Sequence, residues 1–232
     1  MRVALHRGLM SIARGLRGIE MDSNELIEAL VADLGKPGPS LSSLWWGAVG
    51  LAVVLAGFLF FVLIGPRPDF AAAAETPRFI FKFVVTITLG LVAFRLVRKL
   101  SYPGEAWHDA ALHLAAVPAL LLVGIAIELL LLPQDVWFTK LVGTNNLICL
   151  TYVPLMGIGP LAVFIAALRY GAPTRPALAG AAAGLLAGGL AATFYAAHCT
   201  DDSPLFVATW YTIAIAGLAV VGATAGNRFA RW

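Results

Sequence analysis

Charge is scarce in this sequence. Of its 232 residues only 12% are Asp, Glu, Lys or Arg, about half the share of an ordinary soluble domain. Hydrophobic residues make up 60%, more apolar surface than one soluble core of this size could bury. That balance excludes a water-soluble enzyme, a nucleic-acid module and a disordered tail. Cysteine is nearly absent. Two residues, with no Cys-x-x-Cys pair and no His/Cys ladder, exclude a disulfide scaffold and a structural zinc site. No Gly-rich phosphate loop, Gly-x-Ser-x-Gly elbow or Ser-His-Asp pattern occurs, so nothing in the sequence marks an enzyme. Residues 1–20 are basic but lack the continuous apolar core and cleavage pattern of a signal peptide.

What the sequence has is apolar length. A helix needs about 20 apolar residues to cross a bilayer, and six stretches meet that: 45–64, 79–97, 110–132, 147–168, 177–197 and 205–225. Short connections such as Gly65-Pro66-Arg67-Pro68 and Tyr102-Pro103-Gly104 hold the turn formers. The expected fold is an all-α membrane protein, a six-transmembrane-helix bundle preceded by a short cytoplasmic N-terminal helix. Residues 1–44 form the N-terminal segment, 45–226 the membrane domain and 227–232 a C-terminal tail. The net charge of +3 reads as topology rather than nucleic-acid binding, because the basic residues lie between the apolar runs. Twelve of the 16 Lys and Arg fall on the side of the termini; Arg67, Arg78, Lys82 and Lys140 fall on the other. Both termini are therefore expected in the cytoplasm, with membrane lipid as surroundings.

Residues 22–34 read as a helix. Asp22 can cap it, Glu25 can complete a capping box, and Gly35 suits the position after its end. Leu26, Ile27, Leu30, Val31 and Leu34 recur on one face, and Lys36-Pro37-Gly38-Pro39 makes a stiff tether to the first span. Met21 reads as a second candidate start. The stripe suits either the membrane interface or a groove on a partner. The acidic Glu25, Glu28 and Asp33 speak for the partner, because anionic lipid favours basic faces.

Polar residues near the membrane are few enough to name. Glu128 lies near the end of the third span, Cys149 near the start of the fourth, and His198-Cys199 at the end of the fifth, before Asp201 and Asp202. All fall at the same membrane level. Two thiols with an imidazole or carboxylate suit a soft metal ion, and two thiols in reach can form a disulfide; each cysteine can equally be a small apolar packing residue. Glu105, His108, Asp109 and His113 read as a solvated cluster. Trp45, Trp46, Trp107, Trp137, Trp210 and Tyr211 read as an aromatic belt. Gly180, Gly184 and Gly188 form a small-residue stripe, expected to pack within the bundle.

This order of features resembles the NrsF family, the negative regulators of sigma F. The resemblance rests on the acidic helix from Asp22, six spans, the lone Cys149, and the junction His198-Cys199-Thr200-Asp201-Asp202-Ser203-Pro204 running on to Trp210-Tyr211. It implies a membrane anti-sigma factor, not an enzyme, that holds an extracytoplasmic-function sigma factor and contacts no nucleic acid itself. It further implies release under heavy-metal or oxidative stress, with Cys149 and Cys199 as sensing residues. A transient soft metal, on Cys149, Cys199 and His198, is the one ligand expected, with no obligatory cofactor. Leu26, Ile27, Leu30, Val31, Asp22 and Glu28 are the expected partner-binding residues. The alternatives are a small transporter or a membrane thiol oxidoreductase.

The charge bias makes a direct prediction. A reporter active only outside the cytoplasm should signal when fused after Gly143 and stay silent when fused after Trp232; the reverse pattern would overturn the orientation.

Overall fold

A computed structural model describes residues 27–28 and 40–230. All regular structure among them is helical. The described residues up to Ser43 belong to one unit and those from Leu44 onward to another. In the first, Ile27 and Glu28 are helical and exposed, whereas Asp22, Leu26, Leu30 and Val31 lie outside the described residues. The Ser40 hydroxyl accepts from the Ser43 amide at 3.1 Å, satisfying one of the free amides where a helix begins.

Six helices are long and apolar enough to cross a membrane. They are α1 (Leu41–Leu63), α2 (Pro77–Leu100), α3 (His108–Leu131), α4 (Asn146–Leu168), α5 (Pro176–Ala196) and α6 (Pro204–Phe229). Proline opens α2, α5 and α6, where its missing N–H costs nothing. Thr76 caps α2 by accepting from the Phe79 amide. A 3₁₀ turn at His113–Ala115 interrupts α3, and a π-helical stretch at Val207–Tyr211 interrupts α6. Before α4, a short helix at Trp137–Val142 stops at Gly143, whose φ of +61° favours glycine. A side chain on Gly143 would also strike Phe206 and the Asp201 carboxyl group. The connections 64–76, 132–145 and 197–203 gather at one end, called distal here. The turns 101–107 and 169–175 meet at the other, where the Ala172 amide donates to the Ser101 carbonyl at 3.1 Å.

Helix α5 is the most enclosed, packed against α2, α4 and α6. Its glycine stripe makes this contact within the bundle. A Cβ on Gly180 would run into the Gly222 carbonyl, and one on Gly184 into that of Leu218. Gly222 and Gly226 supply the matching surface on α6. Two expected belt residues are core instead. Trp45 is fully buried and stacks on Phe164 at 6.2 Å, and Tyr211 is 1% exposed, whereas Trp46 faces out. The cause is where each falls on its helix: Trp45 starts the buried face of α1 that continues through Ala48, Ala52, Ala56 and Phe60.

The glycine seam is testable. Gly180→Val should lower the stability of the detergent-solubilised protein by about 1–3 kcal/mol, because backbone cannot move aside. Gly217→Ala, with nothing near its new methyl, should stay within about 0.5 kcal/mol. Thermal midpoints of the two variants check both.

Candidate functional site

The distal end concentrates the bundle's polar chemistry. Lys82 sits five residues after the Pro77 that opens α2 and is completely buried. An unpaired buried ammonium would cost several kcal/mol. It is paired: Nζ lies 2.6 Å from Asp202 and donates to the Cys199 carbonyl at 2.7 Å. Arg67, from the connection after α1, also reaches Asp202, at 3.0 Å. Its Nε lies 2.7 Å from Asp69. The hydrogen bond from Arg67 holds the exposed Asp69 carboxyl below its usual range, and raises the Arg67 pKa in turn, against its partial burial.

A second ion pair joins α2 to α3. Arg78 Nε lies 2.9 Å from Glu128, which is only 3% exposed and accepts a further bond from the Ser203 hydroxyl at 3.0 Å. The same Ser203 oxygen accepts from the Leu205 amide, so one hydroxyl both caps α6 and fixes Glu128. Glu128, weighed as a metal ligand from the sequence, is thus engaged in an ion pair.

Asp201 clasps the entry to α4. One carboxylate oxygen accepts the Thr144 amide at 2.9 Å, and the Asn145 amide and side-chain Nδ2 at 2.8 Å each. Negative charge at free helix-start amides is favourable. The clasp ties residues just before Cys149 to residues just after Cys199. Both thiols are buried and free, and they share one cluster with Val153, Tyr195, Phe206 and Tyr211. The Cys199 thiol donates weakly to the Asp201 carbonyl, at 3.7 Å. Burial pushes its pKa up, with Lys82 opposing, so at neutral pH it is a thiol rather than a thiolate. The Tyr195 and Tyr211 rings lie 5.6 Å apart. The Tyr211 hydroxyl is buried in the same cluster, beside the Cys199 thiol.

His198 does not complete a three-ligand set with the cysteines. Its Nδ1 lies 2.9 Å from the Gly65 carbonyl, and among the described residues no three His, Cys, Asp or Glu side chains gather closely enough for a metal ion. Glu105, Asp109 and His113 line a cavity of about 410 Å³ at the opposite end, beside Arg95 and Lys99. Lys82 and Asp202, the centre of the distal end, escaped the sequence reading as a pair. Lys82 stood there only as a topology charge, although a lysine inside an apolar run is itself a signal of a buried partner.

Six apolar helices, closed at one end by buried ion pairs, define a polytopic helical protein of the membrane type. More narrowly, the chain belongs to the NrsF family, the negative regulators of sigma F, whose pattern it matches over residues 30–232. The anti-sigma-F factor NrsF of Caulobacter vibrioides is 34% identical over 216 residues, which cover 91% of this chain and 100% of that protein. The "Probable anti-sigma-F factor NrsF" of Azospira oryzae is 32% identical over the same shares of both chains. No solved structure matches the chain. The family is regulatory rather than enzymatic.

The distal ion pairs predict an asymmetry. Asp202→Ala removes the countercharge of a buried lysine and should cost about 3–5 kcal/mol. Lys82→Met should cost less, since Asp202 keeps Arg67. Thermal unfolding of both variants tests the order.

Proposed function

We propose that this chain is an anti-sigma factor of a bacterial inner membrane, holding an extracytoplasmic-function sigma factor on its cytoplasmic side. The observation that carries the reading is the family match over residues 30–232, joined to six helices able to span a membrane. Both termini face the cytoplasm in this reading, from the Lys/Arg bias, and the distal end faces outward. The acidic 22–34 segment docks the sigma factor by laying Leu26, Ile27, Leu30 and Val31 into an apolar groove. Asp22 and Glu28 meet basic surface around it. Exposure of Ile27 and Glu28 supports an accessible face.

The input is the thiol pair. A soft metal ion entering the cluster would displace the protons of Cys149 and Cys199 and bind both sulfurs. Binding would draw the start of α4 toward the end of α5. Other observations favour this over a transporter or thiol oxidoreductase. The charged groups Lys82, Asp202, Arg78 and Glu128 are engaged with one another at one end. Burial with a raised pKa makes Cys199 a poor redox nucleophile.

A transcriptional reporter for the sigma factor tests both parts. Leu30→Asp should release the partner and raise the signal without added metal; retention at normal protein levels would overturn the docking role. Cys149→Ser and Cys199→Ser should each abolish induction by cadmium while leaving the sigma factor bound. Normal induction in both would return the cysteines to packing.

A further inference from the structure

A cavity of about 640 Å³ opens at the distal end between α2, α3 and the connection before α6. Phe81, Ile127 and Leu131 form its apolar wall, and Arg78 and Lys140 stand among its polar lining. The wall does not stop at the cavity. Ile127 and Leu131 are 53% and 70% exposed, so it continues onto the apolar outside of α3. A ligand can therefore enter sideways from a bilayer.

The lining carries two cations, Arg78 and Lys140, and two carboxylates, Glu128 and Asp202, but they are not engaged alike. Glu128 is neutralised by Arg78, and Asp202 by Lys82 and Arg67. Arg78 meets Glu128 through its Nε and is 44% exposed, and its guanidinium has further N–H donors to offer. Lys140 is exposed and forms no ion pair among the described residues. Lys140 thus stands in the lining without an ion-pair contact, next to an apolar slot.

We propose that this cavity binds an anionic membrane lipid, its phosphate between Arg78 and Lys140 and the start of one acyl chain along Phe81, Ile127 and Leu131. Arginine and lysine are the natural partners of a phosphate, and the apolar wall contributes only to a ligand that carries a chain. The site rests on the bundle lying in a membrane. It does not rest on sigma-factor binding or on the thiols. The lipid would bridge α2 and the short helix Trp137–Val142 beside Asp202, stiffening the loops that fold over Lys82.

Native mass spectrometry of the delipidated full chain in detergent tests this, with phosphatidylglycerol and phosphatidylcholine of identical acyl chains. Phosphatidylglycerol adducts should exceed phosphatidylcholine adducts several-fold. Lys140→Ala should reduce the phosphatidylglycerol adduct about fivefold, the effect of one basic side chain at a lipid surface. Ile127→Trp, which fills the mouth, should abolish it. Val123→Trp, equally exposed on α3 but outside the lining, should not. Should the Ile127 variant fail to fold, Lys140→Ala decides alone. Equal binding of the two lipids, or undiminished binding by Lys140→Ala, overturns the proposal. Inorganic phosphate raising the thermal midpoint as much as phosphatidylglycerol would also overturn it, since the site would then serve a free anion.

Discussion

A single buried ammonium governs the distal end. Lys82 has no exposure at all, and its charge is tolerable only because Asp202 and the Cys199 carbonyl stand within hydrogen-bond distance. That requirement brings the connection between α5 and α6 down over α2. Once Asp202 is there, Arg67 comes with it and anchors the connection after α1, whose amide at Arg67 also donates to the Ala197 carbonyl. Ser203, one residue on, reaches Glu128 and so α3. Asp201, one residue back, holds the entry to α4. Three successive side chains of one short loop thereby tie down three different helices.

The thiols sit inside this arrangement rather than beside it. Cys199 contributes its backbone oxygen to Lys82 and its sulfur to the cluster shared with Cys149. A change at the sulfur therefore acts on the same peptide that satisfies the buried charge. Steric freedom is small, because Cys199 and Cys149 are both fully buried among aromatic rings. The thiol cluster thus lies against the peptide on which the pairing of Lys82 depends, and the Asp201 clasp joins the same two helices.

Much of the architecture was legible in the residues. The six spans are visible as apolar runs because a bilayer demands length and hydrophobicity of each segment independently. The helix starts at Leu41, Pro77 and Pro204 fall only one to four residues from where hydropathy alone puts them. The level shared by Glu128, Cys149 and Cys199 follows from the same count. What stayed hidden depends on partners far apart in the chain. Lys82 looks like a topology charge until Asp202 is placed beside it. Trp45 and Tyr211 look like interface anchors until their helix faces are known. Gly222 and Gly226 gain meaning only against Gly180. The π-helical stretch leaves no mark in composition; it lies where the Phe206 and Tyr211 rings meet at 6.2 Å.

That stretch has a mechanical consequence. A π turn holds one residue more than the α turn it replaces. If Val207–Tyr211 relaxed to α geometry, everything after it would be re-indexed by one position, a rotation of roughly 100° with a shift of about 1.5 Å along the axis. Gly222 would leave its place opposite Gly180, and a side chain would arrive where only bare backbone fits. The glycine contact thus works as a pawl on a toothed wheel. It lets the surplus residue persist near the thiols, and it makes any relaxation there felt two and more turns further down the helix, toward the opposite membrane surface.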